Sequence, residues 1–267
     1  MRTTALMAVG LLSLALAGCG TSSSVARRDT LVVGVKADQP GLGLRGPDGV
    51  FRGFEVDVGR YLARRIGAKH VTFKPVTSDN RERLLNGHQI DLVLASYSIT
   101  PQRDSLVTFG GPYYVAHQDT MVRGAETRIR TVHDLSGRRM CEAAGSVSTA
   151  RVTDTLAISA RLVPAPSYSE CYRMLLAGQV DAISTGDLVL AGFAAQAAGR
   201  VRIVGRPFSD ERYGVGLPKG DIDGCEAVNK AITAMYQDGT ATRLLRSWFG
   251  TSGLRLGSTV PQFEGCT

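Results

Sequence analysis

The chain has 267 residues and a formal net charge of +7, with 43% hydrophobic and 21% charged residues. This length allows two lobes of ordinary domain size after a short leader is removed. The basic residues are scattered among acidic ones, so the charge predicts a solvated basic surface and argues against a nucleic-acid interface.

The N-terminal segment has the features of a bacterial lipoprotein signal peptide. Arg2 gives a positive start, residues 5–17 form an apolar core, and small residues precede Cys19. The apolar run is too short for a permanent spanning helix. The letters LAGC resemble a lipobox, so we expect removal of residues 1–18 and lipidation of Cys19. Residues 19–29 would then form a flexible tether. The competing interpretation is an ordinary secreted protein with a chance cysteine.

Strands and helices alternate after the tether. The β-branched run TLVVGVKA (30–37) predicts a buried strand, and the Gly- and Pro-rich DQPGLGLRGPDG (38–49) predicts a loop. Apolar residues at three- and four-residue spacing in GFEVDVGRYLARRIG (53–67) predict a helix that ends at Gly67. The next predicted elements are a strand HVTFKPV (70–76), a short helix NRERLLNG (80–87) and a strand QIDLVLAS (89–96). This order predicts an α/β fold with a mostly parallel sheet.

A similar alternation begins after residue 120. Its predicted elements are a short helix and strand (130–143), a helix (146–157), a strand (160–165), a helix (167–178), a strand (179–187) and a helix (188–199). Because GQVDAIST mirrors GHQIDLVLAS, we expect two similar α/β lobes with a cleft between them. Ligands bind at the carboxyl ends of strands in such sheets. The predicted ends are 38–44, 95–103, 145–149 and 184–187.

The chain contains three further motifs, GFEVDVGRYLARRI (53–66), ASYSITPQR (95–103) and FGGPYY (109–114). They resemble motifs of the bacterial extracellular solute-binding proteins, family 3, which bind polar amino acids for ABC importers. DQPGLG, SYSEC and GLRLGSTVPQFEGC further resemble the actinobacterial glutamate-binding branch. The resemblance covers residues 31–267. It implies a periplasmic-binding-protein-like fold, in which two α/β lobes are joined by a two-strand hinge around a central ligand cleft.

The resemblance also implies lobe boundaries and a hinge. Lobe 1 is expected to contain residues 30–115 plus 213–267, and lobe 2 residues 116–212. Two strands are expected to cross between them near 114–117 and 211–215, and ligand contacts to both lobes would favour the closed state.

Four cysteines remain besides Cys19, which agrees with an oxidising compartment. They allow three connectivities. We favour Cys141–Cys171 and Cys225–Cys266, because each pair closes within one segment of the expected fold, and the resemblance supports both. A metal site is the competing idea, but the cysteines lack close ligand spacing and the histidines are dispersed. No cofactor is expected.

The resemblance assigns roles in amino-acid binding. Arg103 would grip the α-carboxylate through two parallel hydrogen bonds, with Ser98 as a further donor. Across the cleft, Ser146, Val147 and Ser148 begin a helix whose free amides favour an anion. The family usually has Thr or Ser at the position of Val147, so only its backbone amide is expected to contribute.

The ligand's ammonium needs acceptors. The resemblance assigns this role to Asp187, with Ser96 and the Ala95 carbonyl completing the shell. Taken singly, the serines could be turn residues, and Asp187 could cap the following helix. For an acidic side chain, Arg45, Arg81, Thr185 and Tyr213 are candidate donors, although Arg81 could instead face solvent.

We therefore expect a monomeric lipoprotein, tethered to the outer face of the cell membrane, that binds glutamate or a related polar amino acid for an ABC permease. A ligand-sensing module for a signalling partner is one alternative. A dehydratase is another, since some members of the fold are enzymes. The only nearby candidates for acid–base chemistry are His117 and Glu142, which form no convincing pair.

Overall fold

The structure is a computed structural model that describes residues 24–267. The predicted signal peptide, the lipidation site Cys19 and the first part of the tether lie outside the described residues. From residue 24 onward, no helix combines the length and apolar composition that crossing a bilayer requires.

The protein contains one large sheet, one small sheet and helices that cover them. The strands are β1 (Thr30–Val35), β2 (Asp38–Gln39), β3 (Gly43–Arg45), β4 (Phe51–Arg52), β5 (His70–Pro75), β6 (Leu92–Leu94), β7 (Thr108–Arg123), β8 (Arg139–Ala143), β9 (Arg161–Ala165), β10 (Ala182–Gly186), β11 (Val201–Ile203) and β12 (Ser209–Leu217). The helices are α1 (Phe54–Ile66), α2 (Arg81–Asn86), α3 (Pro101–Asp104), α4 (Ser148–Ala150), α5 (Tyr168–Leu176), α6 (Asp187–Gln196), α7 (Ile222–Gln237) and α8 (Thr240–Phe249).

The large sheet joins two α/β lobes. Its strand order is β5-β1-β6-β12-β7-β10-β8-β9, and β11 pairs with β7. The strands β5, β1 and β6 run parallel at one end, and β10, β8 and β9 run parallel at the other. The antiparallel pair β7 and β12 lies between these two groups. The predicted two-lobe α/β fold is confirmed.

The strands β7 and β12 connect the lobes. β7 is 16 residues long, far longer than a typical strand. Its central residues pair with β12, with Tyr114 opposite Tyr213 and Ala116 opposite Glu211. These are the segments that the resemblance identified as the crossing strands. The exact lobe boundaries, 30–115 plus 213–267 and 116–212, stay a prediction.

Two local predictions need correction. Residues 38–49, expected to be loop, contain β2 and β3, which form a small three-stranded sheet with β4. Strands of two or three residues are too short to show an alternating pattern, and apart from Gly43 in β3 the Gly and Pro residues occupy the turns between them. The helix predicted over 146–157 is a single α turn followed by a π-helical turn at Arg151–Thr155.

The core is continuous through both lobes. The α1 stripe of Phe54, Val58 and Leu62 is fully buried, and the helix ends at Gly67 as predicted. Both favoured disulfides are present: Cys141–Cys171 joins β8 to α5, and Cys225–Cys266 joins α7 to the C-terminal segment. Each disulfide restricts the unfolded chain and adds about 2–4 kcal/mol to the free energy of unfolding.

Candidate ligand-binding site

A small cavity lies between the lobes, with a volume of about 250 Å³ when the space open to solvent is included. It collects the carboxyl ends of β6, β8 and β10 together with the inward face of β12, as expected for an open α/β sheet. Most of its walls are hydroxyl or charged side chains. The lining residues are Ser78, Arg81, Ser96, Ser98, Arg103, Ser146, Val147, Ser148, Tyr168, Thr185, Glu211 and Tyr213.

Eight of the eleven predicted ligand residues line this cavity; the other three are Ala95, Arg45 and Asp187. Ala95 lies directly behind it, where its carbonyl oxygen accepts a hydrogen bond from Arg81 Nη1 at 3.1 Å. Arg45 is exposed in the small sheet, where its Nε donates to the Gly49 carbonyl. The structure therefore does not bring Arg45 to the cavity.

Arg103 bridges the two sides of the cavity. Its Nη1 donates to the Ser98 carbonyl and its Nη2 to the Gly145 carbonyl, each at 2.9 Å. A guanidinium has five N–H donors, so each terminal nitrogen keeps one hydrogen for another acceptor. Burial, reinforced by the charge of Arg81, lowers the pKa of Arg103 to about 10. Arg103 therefore remains protonated at neutral pH and can hold a carboxylate with two hydrogen bonds.

Arg81 is a second buried cation in the cavity wall. It is 1% exposed, which excludes the solvent-facing alternative. Its guanidinium carbon lies 3.9 Å from the centroid of the Tyr97 ring, and that of Arg103 lies 5.2 Å from the same ring. Glu82 Oε1 lies 3.4 Å from Arg81 Nε and 3.9 Å from Arg103 Nε. One carboxylate thus faces two guanidinium groups, and the site favours a further anion.

The buried carboxylate of the cavity is Glu211, on the connecting strand β12. Glu211 is 2% exposed. Its Oε2 accepts from Ser98 Oγ at 3.1 Å and its Oε1 from Ser148 Oγ at 3.4 Å. Burial raises the pKa of Glu211, and the hydrogen bonds and the nearby arginines oppose that shift. An ammonium group in the cavity would find its anionic partner here.

Asp187 lies outside the cavity, contrary to the role predicted for it. It occupies the first turn of α6, where its carboxylate accepts from the Leu188 N–H at 2.7 Å and from Tyr114 Oη at 3.3 Å. The position of Asp187 outside the cavity is explained by the residue before it, Gly186. A Cβ at Gly186 would lie 2.0 Å from Tyr213 Oη, so Tyr213 fills the space at this strand end.

A third buried cation, Lys36, was not among the predicted ligand residues. It follows β1 directly, and its Nζ donates to Ser78 Oγ at 2.7 Å. Burial, and next to it the charge of Arg81, lowers the pKa of Lys36 to about 7. The signal in the sequence was a single lysine at the carboxyl end of a buried strand. Ser78 lines the cavity, so Lys36 lies one hydrogen bond behind it.

The lobes are in contact around the cavity. Ser169 Oγ on α5 donates to Asp38 in β2 at 2.7 Å. On α6, a Cβ at Gly192 would lie 1.9 Å from the Pro40 carbonyl oxygen, so only glycine allows this approach. Across the described part of the chain, no group of His, Cys, Asp and Glu side chains could hold a metal ion.

Comparisons with known proteins agree with this architecture. Residues 31–251 match the bacterial extracellular solute-binding proteins, family 3. The glutamate-binding protein of Corynebacterium glutamicum is 38% identical over 272 residues, covering 95% of this chain and 92% of the relative. The glutamine-binding protein of a Bacillus subtilis ABC transporter is 30% identical over 232 residues, covering 85% and 84%.

A solved structure adds a comparison of the fold. An ancestral arginine-binding protein bound to glutamine has a TM-score of 0.77 and 34% sequence identity, covering 84% of this chain and 99% of the other. Together with the family match over residues 31–251, this likeness spans both lobes and the strands that join them. The chain therefore belongs to the bacterial extracellular solute-binding proteins, family 3.

Proposed function

We propose that this protein captures an acidic amino acid, glutamate in particular, between its lobes and delivers it to the membrane permease of an ABC importer. The observation that carries the proposal is the cavity wall itself. Two buried guanidinium groups and one buried carboxylate line one small space between the lobes. The names of the relatives, a glutamate-binding and a glutamine-binding protein, support the same class of ligand.

The charges of the cavity suit glutamate better than a neutral or basic amino acid. Among the residues that line the cavity, Arg81 and Arg103 against Glu211 leave an excess of one positive charge. Just outside the lining, Glu82 and Lys36 carry one charge of each sign. Glutamate carries two carboxylates and one ammonium at neutral pH, so each of its charges has an opposite partner. A buried charge without such a partner costs several kcal/mol. Arginine as a ligand would add a cation to a wall that already contains two.

The position of each group suggests an orientation of the ligand. The α-carboxylate would meet Arg103 and Ser98, and the ammonium would meet Glu211. The side-chain carboxylate would then lie towards Arg81, with Lys36 behind Ser78. These groups come from both lobes and from β12, so the ligand stabilises the closed state through contacts that the open state lacks.

Attachment to the membrane completes the proposed role. Lipidation of Cys19 would hold the monomeric protein at the outer face of the cell membrane, where a permease can take the ligand. Neither candidate for acid–base chemistry lines the cavity: Glu142 accepts from Thr149 Oγ1, and His117 contacts Asp210. We therefore expect no turnover of the bound amino acid.

A thermal-shift screen of the purified protein against all common amino acids tests the proposed ligand. A ligand at about a hundredfold its Kd adds about 2.7 kcal/mol to the free energy of unfolding. For a protein of this size we expect glutamate to raise Tm by roughly 5–10 °C. A larger rise with neutral or basic amino acids would contradict the acidic class, and no rise with any of them would contradict amino-acid binding.

Lys36→Met is expected to weaken glutamate binding about ten- to hundredfold while affecting glutamine less, because it removes a buried positive charge behind the cavity wall. Lys36 is largely neutral at about pH 8 in the empty cavity, and a nearby carboxylate raises its pKa. Glutamate binding should therefore take up a proton and weaken as pH rises from about 6.5 to about 8.5. Calorimetry in buffers with different ionisation enthalpies measures this uptake.

The matched control is Lys69→Met, which removes an exposed lysine that pairs with Asp29 at the surface. It should retain both the affinity and the proton uptake of the parent protein. Equal glutamate affinity and equal proton uptake in Lys36→Met and the parent would exclude Lys36 from ligand recognition.

A further inference from the structure

A second cleft lies beside the strand β7 and shares no lining residue with the cavity between the lobes. Its volume is about 1020 Å³, including its open mouth. Its walls are formed by β7, the start of α6, the segment after β11, and residues 252–255, which follow α8. The lining residues are His117, Asp119, Asp187, Ile203, Gly205, Pro207, Ser252, Gly253, Leu254 and Arg255.

Two buried carboxylates line this cleft. Asp119 is 4% exposed and Asp187 is 5% exposed. Asp119 accepts from the N–H groups of Thr120, Arg206 and Gly205. Asp187 accepts from Tyr114 Oη and from the N–H groups of Leu188 and His117. Within residues 24–267, no lysine, arginine or histidine side chain forms an ion pair with either carboxylate.

The cost of burying these two carboxylates appears as a raised pKa of each group. Burial raises the pKa of Asp187 to about 6 and also raises that of Asp119. Asp187 remains mostly ionised at neutral pH, and its buried charge is compensated by N–H and O–H donors and in part by the charge of His117. A buried charge of this kind gains most from a cation placed against it.

The rest of the wall is suited to an apolar body. Ile203 and Leu254 face the cleft from two different segments, and Pro207 adds a third apolar surface. Arg255 is exposed at the lining, and His117 already contacts Asp210 at 2.8 Å. The cleft thus combines a buried anionic floor with apolar sides, which is the arrangement that recognises a small ligand with one charged end.

We propose that this second cleft binds a small organic cation that carries a primary ammonium group on an alkyl chain. The ammonium contacts Asp119 and Asp187, and the alkyl chain lies against Ile203 and Leu254. This site is separate from the amino-acid cavity, because no lining residue is common to both.

The contact between Asp187 and Tyr114 gives the second site a route to the first. The ring of Tyr114 lies 6.3 Å from that of Tyr213, and Tyr213 lines the amino-acid cavity. If the two sites influence each other, the change in affinity is reciprocal by thermodynamic linkage. Binding at each site should therefore be measured both with and without a ligand bound at the other site.

Titration with n-butylammonium at neutral pH, followed by calorimetry or NMR, tests the proposal, with 1-butanol as the uncharged control. The parent protein should bind butylammonium saturably, with a Kd on the order of 1 mM, both with and without saturating glutamate. Asp119→Asn and Asp187→Asn keep the side-chain volume and should each weaken this binding about tenfold or more. Arg255→Gln should strengthen it a few-fold, because it removes a competing cation at the lining.

Four outcomes would overturn the proposal: no saturable binding of butylammonium, equal binding of butanol, undiminished binding by both aspartate variants, or full displacement by glutamate. The last would place the amine in the first cavity. Tm values for each variant identify any that fail to fold. The gain expected for Arg255→Gln, an exposed residue, is a readout that loss of folding cannot produce.

Discussion

Replacing Arg103 by alanine is expected to weaken glutamate binding tens- to thousands-fold, which corresponds to about 2–5 kcal/mol. The loss is large because the α-carboxylate would remain buried without its bidentate partner. It also removes the hydrogen bond from Arg103 Nη2 to the Gly145 carbonyl, which holds the two walls of the cavity together. Calorimetric titration with glutamate measures the change.

Two further variants separate charge from geometry. Arg103→Lys keeps the positive charge, but a lysine cannot present two parallel N–H donors, so we expect it to recover only part of the affinity. Arg83→Ala is the matched control, because Arg83 is an exposed arginine on the same short helix as Arg81. If Arg103→Ala bound glutamate as tightly as Arg83→Ala does, Arg103 would not be the anion clamp.

The sequence was sufficient for elements whose pattern is local and repeated. The stripe of α1 and the apolar run of β1 each extend over enough residues for their periodicity to appear, and the short strand β6 lies within the longer apolar run IDLVLA (90–95). The small sheet β2-β3-β4 escaped prediction because its strands are two or three residues long. Its strands contact distant parts of the chain, β3 and β4 the helix α1 and β2 the helices α5 and α6, and no local pattern records such contacts.

The lining of the cavity was predictable where one strand end supplied several of its residues. Ser96, Ser98 and Arg103 belong to one continuous motif and meet in one cavity. Asp187 was misplaced because the choice between two cavities depends on a distant side chain. Tyr213, on another strand, fills the space at Gly186, and no short-range signal links these two positions.

Glu211 could have been identified from the sequence. In SDERYGVGL (209–217), Glu211 occupies the same alternate positions as Tyr213 and Val215. Side chains at alternate positions share one face of a strand, so an acid in register with buried apolar residues points inward. The structure buries all three residues. A buried acid on a predicted connecting strand is a candidate for ligand binding.

Glu211→Gln is expected to remove the partner of the ligand's ammonium and to weaken glutamate binding by about 2–5 kcal/mol. The substitution keeps the shape of the side chain and one acceptor oxygen, and its NH2 group can donate to the oxygen of the other serine hydroxyl, so the cavity should persist. The net charge of the residues that line the cavity changes from +1 to +2. The ammonium of glutamate then has no anionic partner among those residues. Titration calorimetry at neutral pH measures the affinity, and Tm shows whether the variant folds.

Glutarate makes this prediction specific to the ammonium, because it is glutamate without the amino group. The parent protein should prefer glutamate, since glutarate leaves Glu211 buried without a cation. In Glu211→Gln that preference should vanish or reverse, and glutarate should bind at least as tightly as it binds the parent. Loss of both ligands would indicate a damaged cavity and contradict the assigned role.

The same measurement decides between the two candidate carboxylates. Asp187→Asn should leave the preference for glutamate over glutarate close to that of the parent, because Asp187 lies outside the amino-acid cavity. Asp210→Asn, next to Glu211 but largely exposed and in contact with His117, should do the same. If Asp187→Asn abolished the preference and Glu211→Gln retained it, the ammonium would bind at the start of α6. If only Glu211→Gln loses the preference, the ammonium is recognised from β12, a strand that joins the lobes. This contact would then respond directly to hinge closure.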